Sequence, residues 1–223
     1  MSQPTLDISS LLQEYTGATV YNAGFGGCRM ASHLASHDAF SMYRLAEAIT
    51  SKDYTLQKNT LANYSLDSQF SRTVSMLENI DFTNVDIITI AYGTNDFTGG
   101  NSISAVESAL RYSIETIQNT YPNIDIVICS PTYRFWMDEQ GNFTTDSNTK
   151  EIGGIKLTDY IQLYSDIADE YGIYMIDNYN DLDINETTRT KYFYGADGTH
   201  QNEAGRKLIA EHMAKELYEA FGN

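Results

Sequence analysis

Apolar positions along this chain recur at two spacings, helical and strand-like, and the two alternate. Leu6, Ile8, Leu11, Leu12 and Tyr15 share one helical face and stop at Gly17, which predicts a short amphipathic helix ended by a left-handed residue. ATVYNA (18–23) is β-rich and breaks at Gly24, Gly26 and Gly27, as a strand does on entering a functional loop. A polar, weakly patterned stretch over about 32–65 reads as an insertion shaping one side of a site, with one helix over SMYRLAEAIT (41–50). After a helical pattern at 66–80, the nearly continuous apolar run VDIITIAYG (85–93) predicts a strand buried on both faces. The same alternation repeats: a helix over 102–120 before the strand IDIVICS (124–130), a helix over 156–171 before GIYMID (172–177), and a final helix over 202–221. Alternating helices and buried strands without a repeat period or linker predict one domain around a parallel, doubly wound sheet. Ligands of such sheets sit at the carboxyl ends of the strands.

Composition narrows the partners. With 223 residues and 42% hydrophobic content the chain can bury one sizeable core. Its 30 acidic against 14 basic residues, net −16, would repel nucleic-acid phosphates and anionic headgroups. The acidic residues are dispersed, as on an ordinary solvated surface. Cys28 and Cys129 are the only cysteines, too few for a disulfide framework or a cysteine-based zinc site. The first residues show no basic-then-apolar leader pattern, and no run of about 18 apolar residues could span a bilayer.

The loops that follow the predicted strands carry the chemistry. They read NAGFGG (22–27), YGTNDF (92–97), CSPTYRFW (129–136) and, before the last helix, ADGTHQNEAG (196–205). A glycine N–H and an asparagine amide are donors that stabilise a developing alkoxide without titrating. His200, three residues after Asp197, is a general base with a carboxylate able to hold its tautomer. Plainer readings exist for each: Gly-Thr-Asn-Asp is good turn chemistry, Asp197 or Thr199 could cap the last helix, and the glycines could simply give the chain room to turn. The glycines do not match a dinucleotide fingerprint. His33 and His37, four apart, would share a helix face, but without the glutamate of a zinc-protease motif they read as a solvated face, and no metal or cofactor is expected. His212 reads as a surface residue of the last helix.

Taken together, NAGFGG, GTND and DGTH, in that order and at these separations, resemble the second, third and fifth blocks of the SGNH hydrolases, also called GDSL-type esterases. The resemblance spans about 11–217. It implies a three-layer α/β/α, flavodoxin-like fold. It also implies an oxyanion hole built from the Gly27 N–H and the Asn95 amide, His200 as general base, Asp197 as its orienting partner, and Asp96 as a brace for its loop. The implied activity is ester hydrolysis through an acyl-enzyme, on short acyl or acetyl esters, with carbohydrate esters favoured by the polar insertion and aromatic loops. The aromatics of TYRFW and KYFYG flank the expected site, and Tyr133 and Trp136 either contact substrate or pack in the core or loops, with Tyr194 a weaker candidate contact.

One block is missing. No Gly-Asp-Ser occurs in the chain, so no nucleophile is assigned, and the first strand with its serine is expected to fall upstream of Met1. Ser2, Ser9 and Ser10 are the early serines, and Ser9 and Ser10 fall in the first predicted helix with no strand before it to form a reactive turn. As written, the chain is expected to be near-inactive. The rival reading is a non-catalytic glycan-binding or structural domain on the same scaffold.

Overall fold

The structure, a computed structural model, describes residues 7–195 and 197–222. Three strands, β1 (Ile87–Ile90), β2 (Asp125–Cys129) and β7 (Tyr174–Ile176), form a parallel sheet in the order β1-β2-β7. Its register pairs Ile88 with Ile126, Ile90 with Ile128, and Cys129 with Ile176. β2 is central, and Ile126, Val127, Ile128 and Cys129 are all buried. That explains its uninterrupted apolar run: helices cover both faces, so alternation has no use.

Helices connect and cover the sheet. α1 (Ile8–Thr16) packs on α9 (Glu203–Phe221), and α2 (Met42–Ser51) packs on α6 (Ile103–Thr120). Their ends are set by local chemistry. Asp7 accepts the Ser10 N–H to start α1, Ser102 accepts that of Ala105 to start α6, and Asn202 accepts that of Gly205 to start α9. Helix α7 (Leu157–Tyr171) presents Tyr160, Ile161, Tyr164 and Ile167 to the main core. A second apolar cluster joins Phe25, Cys28 and Phe40 to α3 (Thr55–Asn63), α4 (Ser68–Asn79) and the 3₁₀ turn at Phe82–Asn84; Ile88 and Tyr92 pack against both clusters. The segment read as an insertion therefore contains a second helix, α3, that its polar sequence concealed.

Several short elements lie at or beyond the carboxyl end of the sheet. They are α5 (Thr94–Gly99), the hairpins β3–β4 (Phe135–Met137, Phe143–Asp146) and β5–β6 (Glu151–Ile152, Ile155–Lys156), and α8 (Arg189–Tyr192). The last is β8–β9 (Phe193–Tyr194, Asp197–Gln201), which places Asp-Gly-Thr-His on a strand and not in an open loop. Gly198 allows that strand to lie against β3, because a Cβ there would fall 1.8 Å from the Phe135 carbonyl oxygen.

The expected strand at 18–23 does not form. Those residues take no regular secondary structure and pair with no strand among the described residues, and Tyr21 is 52% exposed. A strand is stable only against a ladder partner, and among the described residues no strand pairs with this segment. Side chains take over part of that role, Gln13 accepting the Val20 N–H and Asn22 that of Gly24. The outer edge of β1 is likewise unpaired among the described residues.

Truncating the middle of β2 tests this core. Ile128→Ala removes a fully buried side chain and is expected to cost about 2–5 kcal/mol, read as a lower denaturant midpoint with an unchanged slope.

Candidate functional site

The carboxyl ends of β1 and β2 and the β9 strand bring the predicted groups to one end of the sheet. Gly27 sits at φ 77°, where a side chain would be strained, and this turn leaves its N–H unbonded to any group among the described residues. Its carbonyl is held by His33, whose Nε2–H donates to it at 3.1 Å while Nδ1 accepts the Leu34 N–H. Those two bonds fix His33 as the neutral Nε2–H tautomer. Burial, followed by the neighbouring Arg29 charge, lowers its pKa and keeps it neutral.

Helix α5 begins directly after β1 and carries both block-three residues. Asn95 donates its side-chain amide to the Cys28 carbonyl at 3.0 Å, which joins it to the residue following Gly27. Asp96 is completely buried and accepts the N–H groups of Met30 (2.8 Å) and Ala31 (3.1 Å), with Asn101 at 3.3 Å. Burial raises the Asp96 pKa, against the opposing pull of those amides and of Arg29. The two glycine- and asparagine-bearing loops are thus locked to each other by their own polar groups.

On the opposite side, His200 Nδ1 lies 2.6 Å from Asp197 Oδ2, and Asp197 Oδ1 accepts the N–H groups of Thr199 and His200. Burial alone would raise the Asp197 pKa, but the His200 bond and the two amides outweigh it, so the net shift is downward. The imidazole is 77% exposed and its Nε2 has no partner among the described residues, so that nitrogen is open to solvent. The helix that follows is capped by Asn202, not by Asp197 or Thr199.

Other expected residues are placed differently. The Tyr133 ring is buried and its hydroxyl donates to Asp146 at 3.0 Å. Together with Asn148, Tyr179 and the 180–185 loop, Tyr133 lines a concavity of about 460 Å³ that includes none of Gly27, Asn95, Asp197 or His200. Trp136 is half-buried, edge-on to Phe97, with the Arg134 guanidinium 4.6 Å from its ring centroid and the Lys150 ammonium at 5.9 Å. Tyr194 is exposed and accepts a bond from Arg206. Ser9 and Ser10 are in α1, with the Ser9 hydroxyl on Asp7, and Ser2 lies outside the described residues.

His33 and His37 do not share a helix. They flank a turn, with rings stacked at 5.2 Å, and no group of three metal-binding side chains occurs among the described residues. His212 is half-buried, with Nε2 enclosed and unbonded, and so is not a plain surface residue. Sequence reading missed Arg134, which bonds both Thr98 of α5 and Thr199 of β9. A lone arginine inside the aromatic run TYRFW was the available signal.

The chain and its fold have known counterparts. The family model of the GDSL-like lipases and acylhydrolases matches residues 2–208. The chain belongs to that family. Among solved structures, this GDSL-family chain resembles a carbohydrate acetylesterase from Sinorhizobium meliloti (TM-score 0.60, 12% identity, 99% of this chain and 91% of that one). It also resembles an aryl esterase of M. smegmatis (TM-score 0.57, 18% identity, 97% and 86%). A salicylyl-acyltransferase from a tetracycline biosynthetic pathway is similar over 98% of this chain and 50% of its own (TM-score 0.60, 16% identity). At such identities the shared property is the fold. No curated protein matches the sequence. By family and fold the chain stands among the ester hydrolases.

Two outcomes test the geometry. Asp96→Ala leaves the Met30 and Ala31 N–H groups without their acceptor, at about 1–3 kcal/mol each, partly offset by removal of a buried charge; chemical denaturation measures the net loss. Asp197, with its folded pKa below the unfolded one, stabilises the fold above the ordinary aspartate range, and that contribution is lost as pH falls through the folded value. The stabilities of the parent and of Asp197→Asn should therefore differ near neutral pH and converge in acid, as read by unfolding at a series of pH values.

Proposed function

We propose that this protein hydrolyses short acyl or acetyl esters, acetylated carbohydrates foremost, through a serine acyl-enzyme. The observation that carries this reading is the Asp197–His200 pair at 2.6 Å, on the same end of the sheet as the bonded Gly27 and Asn95 loops. A serine hydroxyl attacks the ester carbonyl while His200 Nε2 takes its proton. The oxyanion of the tetrahedral intermediate accepts the Gly27 N–H and the Asn95 amide, which turns from the Cys28 carbonyl. Collapse expels the alcohol, which recovers the proton from His200, and water repeats the sequence on the acyl group.

The serine, in this proposal, arrives on a strand that adds to the outer edge of β1. Support comes from the unpaired β1 edge and the unpaired 18–23 segment, together with the absence of a Gly-Asp-Ser triplet from the 223 residues. The same absence favours the second reading, a glycan-binding domain that keeps the scaffold without turnover. Support for carbohydrate esters comes from the fold shared with an acetylesterase of carbohydrates.

The test is p-nitrophenyl acetate hydrolysis by this chain and by a form extended to include any Gly-Asp-Ser segment its gene encodes upstream, each with and without His200→Ala. The expected result is activity in the extended form alone, falling on the order of ten-thousand-fold with His200→Ala. A well-folded but inactive extended form would establish the binding reading instead.

A further inference from the structure

Arg134 stands out once the site is assembled. It is 7% exposed, yet no carboxylate forms an ion pair with it among the described residues. Burying a guanidinium without a counter-ion is costly, and burial depresses its pKa against the more distant attraction of Asp197. Its hydrogen bonds show what it holds. Nη1 donates to Thr98 Oγ1 at 2.6 Å and more weakly to the Thr94 carbonyl at 3.5 Å; Nη2 donates to Thr199 Oγ1 at 2.7 Å. The guanidinium carbon lies over the Trp136 ring, 4.6 Å from its centroid, and Nε is enclosed without a partner.

Thr94 and Thr98 bracket Asn95 on α5, and Thr199 precedes His200 on β9. The Gly27 loop is tied to α5 by the bonds of Asn95 and Asp96, but no other hydrogen bond among the described residues joins α5 to β9. The oxyanion side and the base side of the site are therefore two polar assemblies connected through one side chain. The planar fork of arginine suits this joint, since it offers donors in two fixed directions where lysine offers a single point.

We propose that Arg134 is a positioning residue that sets the placement of the Asp197–His200 pair relative to Asn95 by bridging α5 and β9. This rests on the ester-hydrolase reading for its catalytic consequence. The bridge itself is a property of the folded chain. Because the proton acceptor and the oxyanion donor must be aligned together only when the tetrahedral intermediate forms, loosening the joint weakens transition-state binding more than substrate binding.

The experiment combines Arg134→Met, Arg134→Lys and Thr199→Val with the double variant Arg134→Met/Thr199→Val. Amide hydrogen exchange at residues 197–201 is measured on the chain as it stands, with the β2 amides as an internal reference. Arg134→Met, which fills similar space without donors, should accelerate exchange at 197–201 and leave β2 protected, Thr199→Val should do the same, and the double variant should add little to either. Unchanged exchange at 197–201, or fully additive effects, would overturn the bridge whether or not the protein is an esterase. In the catalytically competent form, Arg134→Met should lower kcat about 100-fold with KM within about twofold, and Arg134→Lys should restore little. A raised KM with unchanged kcat would instead make Arg134 a substrate-binding group and refute the positioning role.

Discussion

The buried carboxylate of Asp96 is the constraint around which the site is organised. It has no water to solvate it, so it must be satisfied by protein donors, and the amides of Met30 and Ala31 supply them. Those amides belong to the chain just beyond the glycine loop, while Asp96 itself belongs to the helix that starts where β1 ends. Satisfying one buried charge therefore fixes two segments, more than sixty residues apart in sequence, at a single separation. Asn95, the neighbouring residue, reaches the Cys28 carbonyl because Asp96 has already brought the loop there. Gly27 keeps an N–H unbonded among the described residues, in a turn held from the carbonyl side by His33.

The Asp197–His200 side obeys a different logic. At the start of β9 one carboxylate accepts the nearby amides of Thr199 and His200 and meets the imidazole. These short-range bonds order the pair locally and leave the imidazole exposed. Local order does not, however, say where the pair stands relative to Gly27 and Asn95. That placement is made by the close approach of Gly198 to β3 and by the Arg134 guanidinium.

The fold was largely legible in the chain because burial on both faces leaves an unmistakable mark. The apolar runs at 85–93, 124–130 and 172–177 become β1, β2 and β7, and the helices between them follow from their spacing. The segment at 18–23 shows the limit of that reasoning. Its residues suit a strand, but strand formation is a property of a pair, and the described residues hold no partner for it. α3 was hidden for the converse reason: its apolar periodicity is faint, and it is held by packing against α4 and by Gln57 donating to the Ala39 carbonyl.

By itself the sequence determined the residue types and their order: glycine, asparagine and an aspartate–histidine pair at the ends of successive elements, on an acidic chain without a Gly-Asp-Ser triplet. Only the tertiary structure decided which of these groups meet. It enclosed Tyr133 against Asp146, kept His33 and His37 off a shared helix and turned His33 to the Gly27 carbonyl. It also chose a buried arginine, unremarkable in sequence, to join the two sides of the site. The physical reason is that donors and acceptors distant along the chain are paired by the cost of leaving them unsatisfied in the interior, and that cost exists only once the interior has formed.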